Sequence, residues 1–372
     1  MKKYLLFGVL IFSLIGACSS NNEENPQKPD PQKPDPQKPD PQKPDPQKPD
    51  PQKQKPVAYD WDFYTEPSRL TVVKNEKNPK LKKLYYQIYG TPCGAWYDGI
   101  SPTKEKNERY LRNLVEGAER TQKTPIIVIY GIPHRDCGFY SKGGHPNAAS
   151  YKEWINHVST IIGNRRAVVI VEPDAINYCN WKVGSNERKE RAELLNYVGL
   201  TLKQKNPNVA TYIHAGSAGL PTNAAANAII EGGVEHMRGF AFNVSGVGGT
   251  KEEQEGAEKL VARLEQLGIK NKHYVIDTGR SGINRPKNPN PKAPYNSCNN
   301  FAAALGPRST KNTTGAHADA YLWINGGGGS DGDCGTGAPA AGKPYPEYTK
   351  ALVENALRVK SIKELEVPKE LQ

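Results

Sequence analysis

The sequence predicts an α/β domain built on parallel strands, and two observations carry that expectation. Short apolar, mostly β-branched runs recur along the chain, and stretches rich in Lys, Glu, Ala and Leu separate them. The clearest run, Ala167 to Ile176, reads A-V-V-I-V-E-P-D-A-I, five apolar residues that end in two carboxylates around a proline. A run that is apolar at every position is a strand buried on both faces, as in a parallel sheet covered by helices.

In chain order, residues 1–18 have the pattern of a lipoprotein signal. Lys2 and Lys3 precede an apolar core from Leu5 to Leu14, and I-G-A-C ends at Cys18, the expected lipidation site. So short an apolar run with a small-residue cleavage site is a processing segment, not a membrane span. Export is expected, with lipid anchoring at the bacterial cell surface or outer membrane; plain secretion is the alternative. Residues 19–56 carry P-Q-K-P-D repeats. Proline at this density favours an extended polyproline II spacer, on the order of 100 Å long at about 3.1 Å per residue. Its Lys and Asp nearly balance, so it is not a polybasic anchor.

Residues 57–372 are then one domain, long enough for a large core. Its strand candidates are Ile126 to Tyr130, Ala167 to Val171, Val209 to Ile213, Gly239 to Asn243, Tyr274 to Asp277 and Ala320 to Ile324, with Leu84 to Ile88 as a seventh. Helical stretches lie at Asn107 to Arg120, Asn186 to Lys205 and Lys251 to Leu267. The alternation implies parallel βα units.

In α/β barrels the C-terminal rim of the strands is where side chains converge on a ligand. Glu172 and Asp174 sit at such a rim. A second run, I-I-V-I-Y-G-I-P-H-R-D-C-G-F-Y-S-K-G-G from Ile126 to Gly144, leads into a loop holding Tyr130, Arg135, Asp136, Cys137 and Ser141. Two acids, Asp136 and Asp174, thus leave neighbouring strands at the same end. Paired carboxyls in a sugar-sized cleft are what glycoside hydrolysis needs, one held protonated for the leaving oxygen.

These two segments resemble glycoside hydrolase family 6, the inverting β-1,4-glucanases commonly called cellulases. Further segments follow in family order: N-V-S at Asn243, I-D-T-G-R-S-G from Ile276, C-N at Cys298, W-I-N-G-G-G-G-S-D-G from Trp323, and G-K-P-Y-P-E-Y-T-K-A-L-V-E-N-A ending at Ala356. The resemblance implies a distorted (β/α) barrel of about seven parallel strands, with its cleft at the strand C-termini. It implies that Asp174 is the general acid and that Asp136 tunes its proton. Tyr130 would crowd the sugar at the cleavage subsite and Ser141 would position the attacking water. Asp331 corresponds to a carboxylate proposed as base or as part of a charge network, with Arg280 as its natural partner. An aspartate tied to arginine makes a weak base, which favours the second role. Trp96 matches a tryptophan that stacks a glucosyl unit, while Tyr140, Trp181 and Tyr295 are weaker platforms. Arg135, Asn243, Arg280 and Asn325 complete the implied substrate-binding set.

The chain also departs from the family pattern. In Y-I-H-A-G-S-A-G-L, His214 stands where an acid is usual, Ser217 where a histidine is, and Leu220 where a tryptophan is. Asn325 and Gly329 replace a lysine and a glutamate, and Ser297 replaces a tryptophan before Cys298. Short segments between Cys179 and Cys298, and between Cys298 and Cys334, favour an open cleft and endo-action over cellobiohydrolase action. The rival expectation from another class is a surface lipoprotein that binds glucan without cutting it.

Six cysteines are present. With Cys18 committed to lipid, spacing alone does not choose a pairing for the rest; the resemblance implies Cys137 with Cys179 and Cys298 with Cys334, leaving Cys93 free. The formal charge of +11 comes with no dense basic run in the domain, no recognition-helix pattern and no metal-binding Cys/His spacing, so neither nucleic acid nor a metal is expected. The expected partner is a β-glucan, the membrane enters only through the lipid, no cofactor is implied, and a monomer is expected.

Overall fold

A computed structural model describes residues 62–100, 103–178 and 184–372. Cys18, the repeat segment, Cys179 and Trp181 lie outside the described residues. Seven strands form one sheet: β1 (Ala95–Tyr97), β2 (Ile126–Ile129), β3 (Ala167–Val171), β4 (Val209–His214), β5 (Gly239–Phe242), β6 (His273–Asp277) and β7 (Ala318–Leu322). Each pairs in parallel with the next in sequence, so spatial order follows chain order. The helices are α1 (Thr71–Asn75), α2 (Pro79–Tyr89), α3 (Lys104–Arg120), α4 (Ala148–Ile162), α5 (Asn186–Lys205), α6 (Thr222–Glu231), α7 (Thr250–Gln266) and α8 (Pro346–Val359). The curled parallel sheet with its helices is the distorted barrel expected from the sequence.

Both faces of the strands are apolar because both are covered. Ile127, Ile129, Val169, Val171, Ile213 and Phe240 pack outward with helical residues such as Leu111, Val158, Leu195 and Leu260 in one core. Ile126, Val128, Val168, Ile170, Ala210, Tyr212, Ala241, Val275, Ala320 and Leu322 point the other way and fill the barrel. The period of two thus divides each uniformly apolar run between two cores. A third cluster joins α8 to the rim through Tyr348, Leu352, Leu305 and Trp323.

One strand expectation is corrected. Leu84 to Ile88 lies inside α2, not in the sheet. Asn78 caps that helix by accepting Lys80 N–H and Leu81 N–H, and Pro79 occupies its first turn; both are start signals that outweigh a short apolar run. The seventh strand is instead A-W-Y at Ala95–Tyr97, only three residues long and exposed at its middle position, too brief to stand out by apolarity.

The barrel closes at a narrow seam. Cys93 bridges Trp323 in parallel fashion, Gly94 N–H donates to the Trp323 carbonyl at 2.8 Å, and Trp96 Nε1 donates to the Ile324 carbonyl at 3.0 Å. A Cβ on Gly94 would collide with the Ile324 carbonyl oxygen, so only glycine allows this approach. Among the described residues no helix is long and apolar enough to cross a membrane.

Trp323 is fully buried and its Nε1 donates to the Pro307 carbonyl at 2.9 Å. Trp323→Ala is expected to cost about 3 to 5 kcal/mol, read as a lower urea midpoint with an unchanged slope.

Candidate active site

Where the inward-facing apolar positions end, the same face turns polar. Beyond Val128, Ile170, Tyr212, Ala241 and Val275, the next inward positions are Tyr130, Glu172, His214, Asn243 and Asp277, all buried. The barrel filling is therefore capped by hydrogen-bonding groups at the strand C-termini. The backbone is strained along this rim. His134, Asp136, Cys137, Glu172, Asp174, Asn243 and Ser245 all have φ between +43° and +66°. Left-handed conformations in residues other than glycine cost about 1 to 3 kcal/mol each and collect at functional sites.

The loop after β2 is held from several sides. Arg191, buried on α5, donates to the carbonyls of Pro133 and His134 at 2.8 and 2.9 Å. Arg135 binds the Ser141 carbonyl through Nε at 2.8 Å and the Tyr130 carbonyl through Nη1 at 2.7 Å, and its guanidinium covers the Tyr130 ring at 4.9 Å. It also pairs with Asp98 at 3.3 Å. Ser141 N–H donates to Asp136 Oδ2 at 2.6 Å. Burial raises the Asp136 pKa above the usual range, against the Ser141 amide and Arg135, which lower it. Arg135 thus acts on the loop itself, and Ser141 touches Asp136 through its backbone. Cys137 is disulfide-bonded.

The two carboxylates of E-P-D take different places. Glu172 is walled in: both its oxygens accept Gly131 N–H, at 3.0 and 3.1 Å, and Oε1 accepts the Tyr151 hydroxyl at 2.8 Å. It ties β3 to the loop after β2. Asp174 reaches the cleft, with 36% of its side-chain surface exposed. Its pKa is raised to about 7, first by burial and then by the charge of Asp136. The two facts fit a group at the floor of a narrow cleft, open on one side and otherwise surrounded by protein. Tyr130 stands beside both acids: burial, then the charges of Asp174 and Asp136, push its hydroxyl far above the ordinary tyrosine value. Trp96, 37% exposed, meets the Tyr130 ring edge-on at 5.1 Å.

On the other side of the rim, the buried Asp277 carboxylate accepts four backbone amides, from Ser245, Gly279, Ile324 and Asn325, at 2.9 to 3.2 Å. Asn243 lies beneath this rim, its amide donating to the carbonyls of Asp277 and Gly248 at 2.9 and 3.3 Å. Asn325 donates through Nδ2 to Ser245 Oγ at 3.0 Å. Arg280, also buried, binds Asp331 Oδ2 at 2.5 Å, the Ser297 carbonyl at 3.2 Å and the Tyr348 hydroxyl at 3.1 Å. Asn299 N–H adds a second donor to Asp331 Oδ2 at 2.9 Å. Cys298 and Cys334 are bridged, with Cα atoms 5.8 Å apart, so the loops after β6 and β7 are joined beside Asp331. Cys93 is free, and burial raises its thiol pKa.

The structure therefore gathers Trp96, Tyr130, Asp136 and Asp174 along one wall, and Asp331 with Arg280 on another. Sequence reasoning underrated three residues. Tyr295 is 45% exposed, and its hydroxyl is raised first by burial and then by Asp331, Asp136 and Asp174, which sets it among all three acids. Asp277 and His214 carry the inward polar face, a signal available only once strand parity is known. The loops after β2 and β7 also touch, since a Cβ on Gly332 would lie 2.6 Å from the Tyr140 ring. Among the described residues no group of His, Cys, Asp and Glu is arranged to hold a metal ion.

Fold and rim together define a distorted α/β barrel of the glycoside hydrolase kind. Residues 55–356 match the model of the family described as Glycosyl hydrolases family 6, and the chain belongs to that family. It is 30% identical over 302 residues to Endoglucanase A of Thermobispora bispora, covering 79% of this chain and 63% of that protein. It is 33% identical over 281 residues to Endoglucanase A of Cellulomonas fimi, covering 74% and 57%. The chain thus spans about six-tenths of the length of these two relatives. Among solved structures, it is similar to the endoglucanase Cel6 from Mycobacterium tuberculosis, in complex with methyl-cellobiosyl-4-deoxy-4-thio-β-D-cellobioside. The TM-score is 0.71 at 36% identity, covering 80% of this chain and 97% of that one.

Burial raises the Glu172 pKa from 4.5 to about 7. The folded state then binds this proton more tightly than the unfolded chain, so the contribution favours folding below about pH 4.5 and is lost as pH rises towards 7. Glu172→Gln is expected to flatten the fall in urea stability across that window; an unchanged slope would refute the assignment.

Proposed function

We propose that the chain hydrolyses β-1,4-glucosidic bonds of cellulose or a related β-glucan with inversion, and that it acts within chains rather than from their ends. The observation that carries this reading is Asp174, a cleft carboxyl raised to about 7 by burial and by Asp136, in a chain of this family. A carboxyl with that value is protonated for a useful fraction of the time near neutral pH and can give its proton to the leaving oxygen. Asp136 keeps that proton in place and offsets positive charge as the sugar ring becomes cationic. Tyr130 crowds the sugar at the cleavage point, and Ser141 positions the attacking water. Asp331, fixed by Arg280, supplies charge, and the proton lost by the attacking water passes along a water chain to Asp136. An inverting reaction needs room for water between acid and base and forms no covalent intermediate, so no nucleophilic side chain takes part.

Trp96 offers the first sugar platform: it is exposed, and its Nε1–H is already used within the protein. A flat pyranose face can then stack without competing for that donor. Arg135, Arg280, Asn243 and Asn325 support the site mainly by holding its loops. The short segments between the cysteines support endo-action. Residues 57–372 form the catalytic domain in this reading, carried on the 19–56 spacer and exported by residues 1–18, with Cys18 as the lipidated end.

The deciding experiment incubates the purified chain with carboxymethylcellulose, mixed-linkage β-glucan and xylan, following reducing ends beside viscosity. An early viscosity drop on a β-1,4-containing glucan is expected. Reducing ends from none of the three, with binding retained, would leave a glucan-binding protein instead. Asp174→Asn is expected to lower kcat by about 10²- to 10⁴-fold while glucan binding persists. Asp136→Asn removes the like charge that raises Asp174, so the alkaline limb of the pH–rate profile should move to lower pH; a limb that stays in place or moves upward would contradict the assigned pairing.

A further inference from the structure

His214 ends β4 on the inward face, 3% exposed, directly against the E-P-D loop. Its Nδ1 accepts the backbone N–H of Asp174 at 2.9 Å and lies 3.6 Å from Asp174 Oδ1. The Tyr178 ring stacks on the imidazole with centroids 5.6 Å apart and planes 18° from parallel. The segment from Asp174 to Tyr178 therefore rests on this one ring at both ends.

We propose that His214 is the positioning residue of the acid-bearing loop: a neutral imidazole, protonated on Nε2, that holds Asp174 in its left-handed backbone and keeps a second negative charge away from its carboxyl. The inference rests on the reading of Asp174 as general acid.

A ring nitrogen that accepts an amide proton carries none of its own. Nδ1 thus presents a lone pair, and the ring proton sits on Nε2. Protonating the ring would set Nδ1–H against Asp174 N–H and break the contact. Nε2 is buried and makes no hydrogen bond among the described residues, while the Gly216 backbone beside the ring favours its charged form. Burial outweighs that contribution, holding the His214 pKa down at about 3. Asp174 itself has φ +66°, a conformation that persists only when its surroundings impose it.

The titratable groups around Asp174 are Asp136 and Tyr130 from β2 and its loop, Tyr178 on its own loop, Tyr295 from the segment after β6, and His214 from β4. Of these only Asp136 supplies a negative charge near neutrality. Position 214 consequently decides whether one anion or two act on the acid. The carboxylate usual at this position would be a second one and would raise the acid further.

The test has two independent arms. Nitrogen-15 NMR of the imidazole in the wild-type protein, assigned by its loss in His214→Asn, should show the Nε2–H tautomer from about pH 5 to 8. In kinetics, His214→Phe keeps the ring stack and removes the acceptor. It should lower kcat on the order of 10- to 100-fold with little change in KM, and His214→Asn, which can accept the amide, should recover most of the loss. His214→Asp should move the alkaline limb of the profile upward. A ring that is charged or carries its proton on Nδ1 in that range overturns the proposal, as does a His214→Phe enzyme with wild-type kcat and pH profile. If His214→Phe does not fold, the wild-type NMR result decides alone. Absence of hydrolysis by the wild type would instead sink the reading of Asp174 as acid, and the tautomer would still report whether the ring holds the loop.

Discussion

Two buried carboxylates, Glu172 and Asp277, hold the rim on which everything functional stands. A parallel ladder supplies partners for backbone amides only while the strands run side by side. At the C-terminal ends the chains splay into loops, and each amide left without a strand partner needs another acceptor. Glu172 supplies one to Gly131, and Asp277 supplies one to each of four amides spread over three loops. Burying a carboxyl opposes its ionisation, and both are shifted up as a result, Glu172 to about 7 and Asp277 to about 6. The protein tolerates that cost where the alternative is a set of buried amides with no acceptor.

The same accounting explains the strain. Left-handed residues flank the strands that carry acids, and three of them are fastened by a group outside their own loop: Arg191 for His134, His214 for Asp174, Asp277 for Ser245. Rigid surroundings let Asp136 and Asp174 sit close enough to act on each other, which solvated, mobile side chains would avoid. The raised Asp174 pKa is thus a property of the frame as much as of the residue.

Much of this was legible in the sequence, for reasons that can be stated. Strands β2 to β6 announced themselves because parallel strands covered on both faces are mostly apolar, and the acids stood out because they break those runs; β7 was placed two residues late, at Ala320 to Ile324, because Asp319 interrupts its start. Strand β1 was hidden: three residues with Trp96 turned to the cleft give no apolar run, and Leu84–Ile88 in α2 imitated one. Arg280 with Asp331 could be paired only through the family resemblance, since 51 residues separate them. The roles of His214 and Asp277 depend on strand parity continued past the last ladder bond, and that appears only when the register is known.

The order of the strands has a consequence for how the molecule comes into being. Every strand pairs with the strand made just before it, so the sheet can grow strand by strand, but each pairing must wait for the intervening helix and loops, a parallel pattern that folds slowly. The seam is the exception, because Cys93 and Gly94 wait for Trp323, and Asp331 follows shortly after. An emerging chain would therefore hold Asp136 and Asp174 in a partly built sheet while one wall of the cleft was still missing. Completion of the site is tied to arrival of the last strand, so the proposed hydrolysis would have to await closure of the barrel.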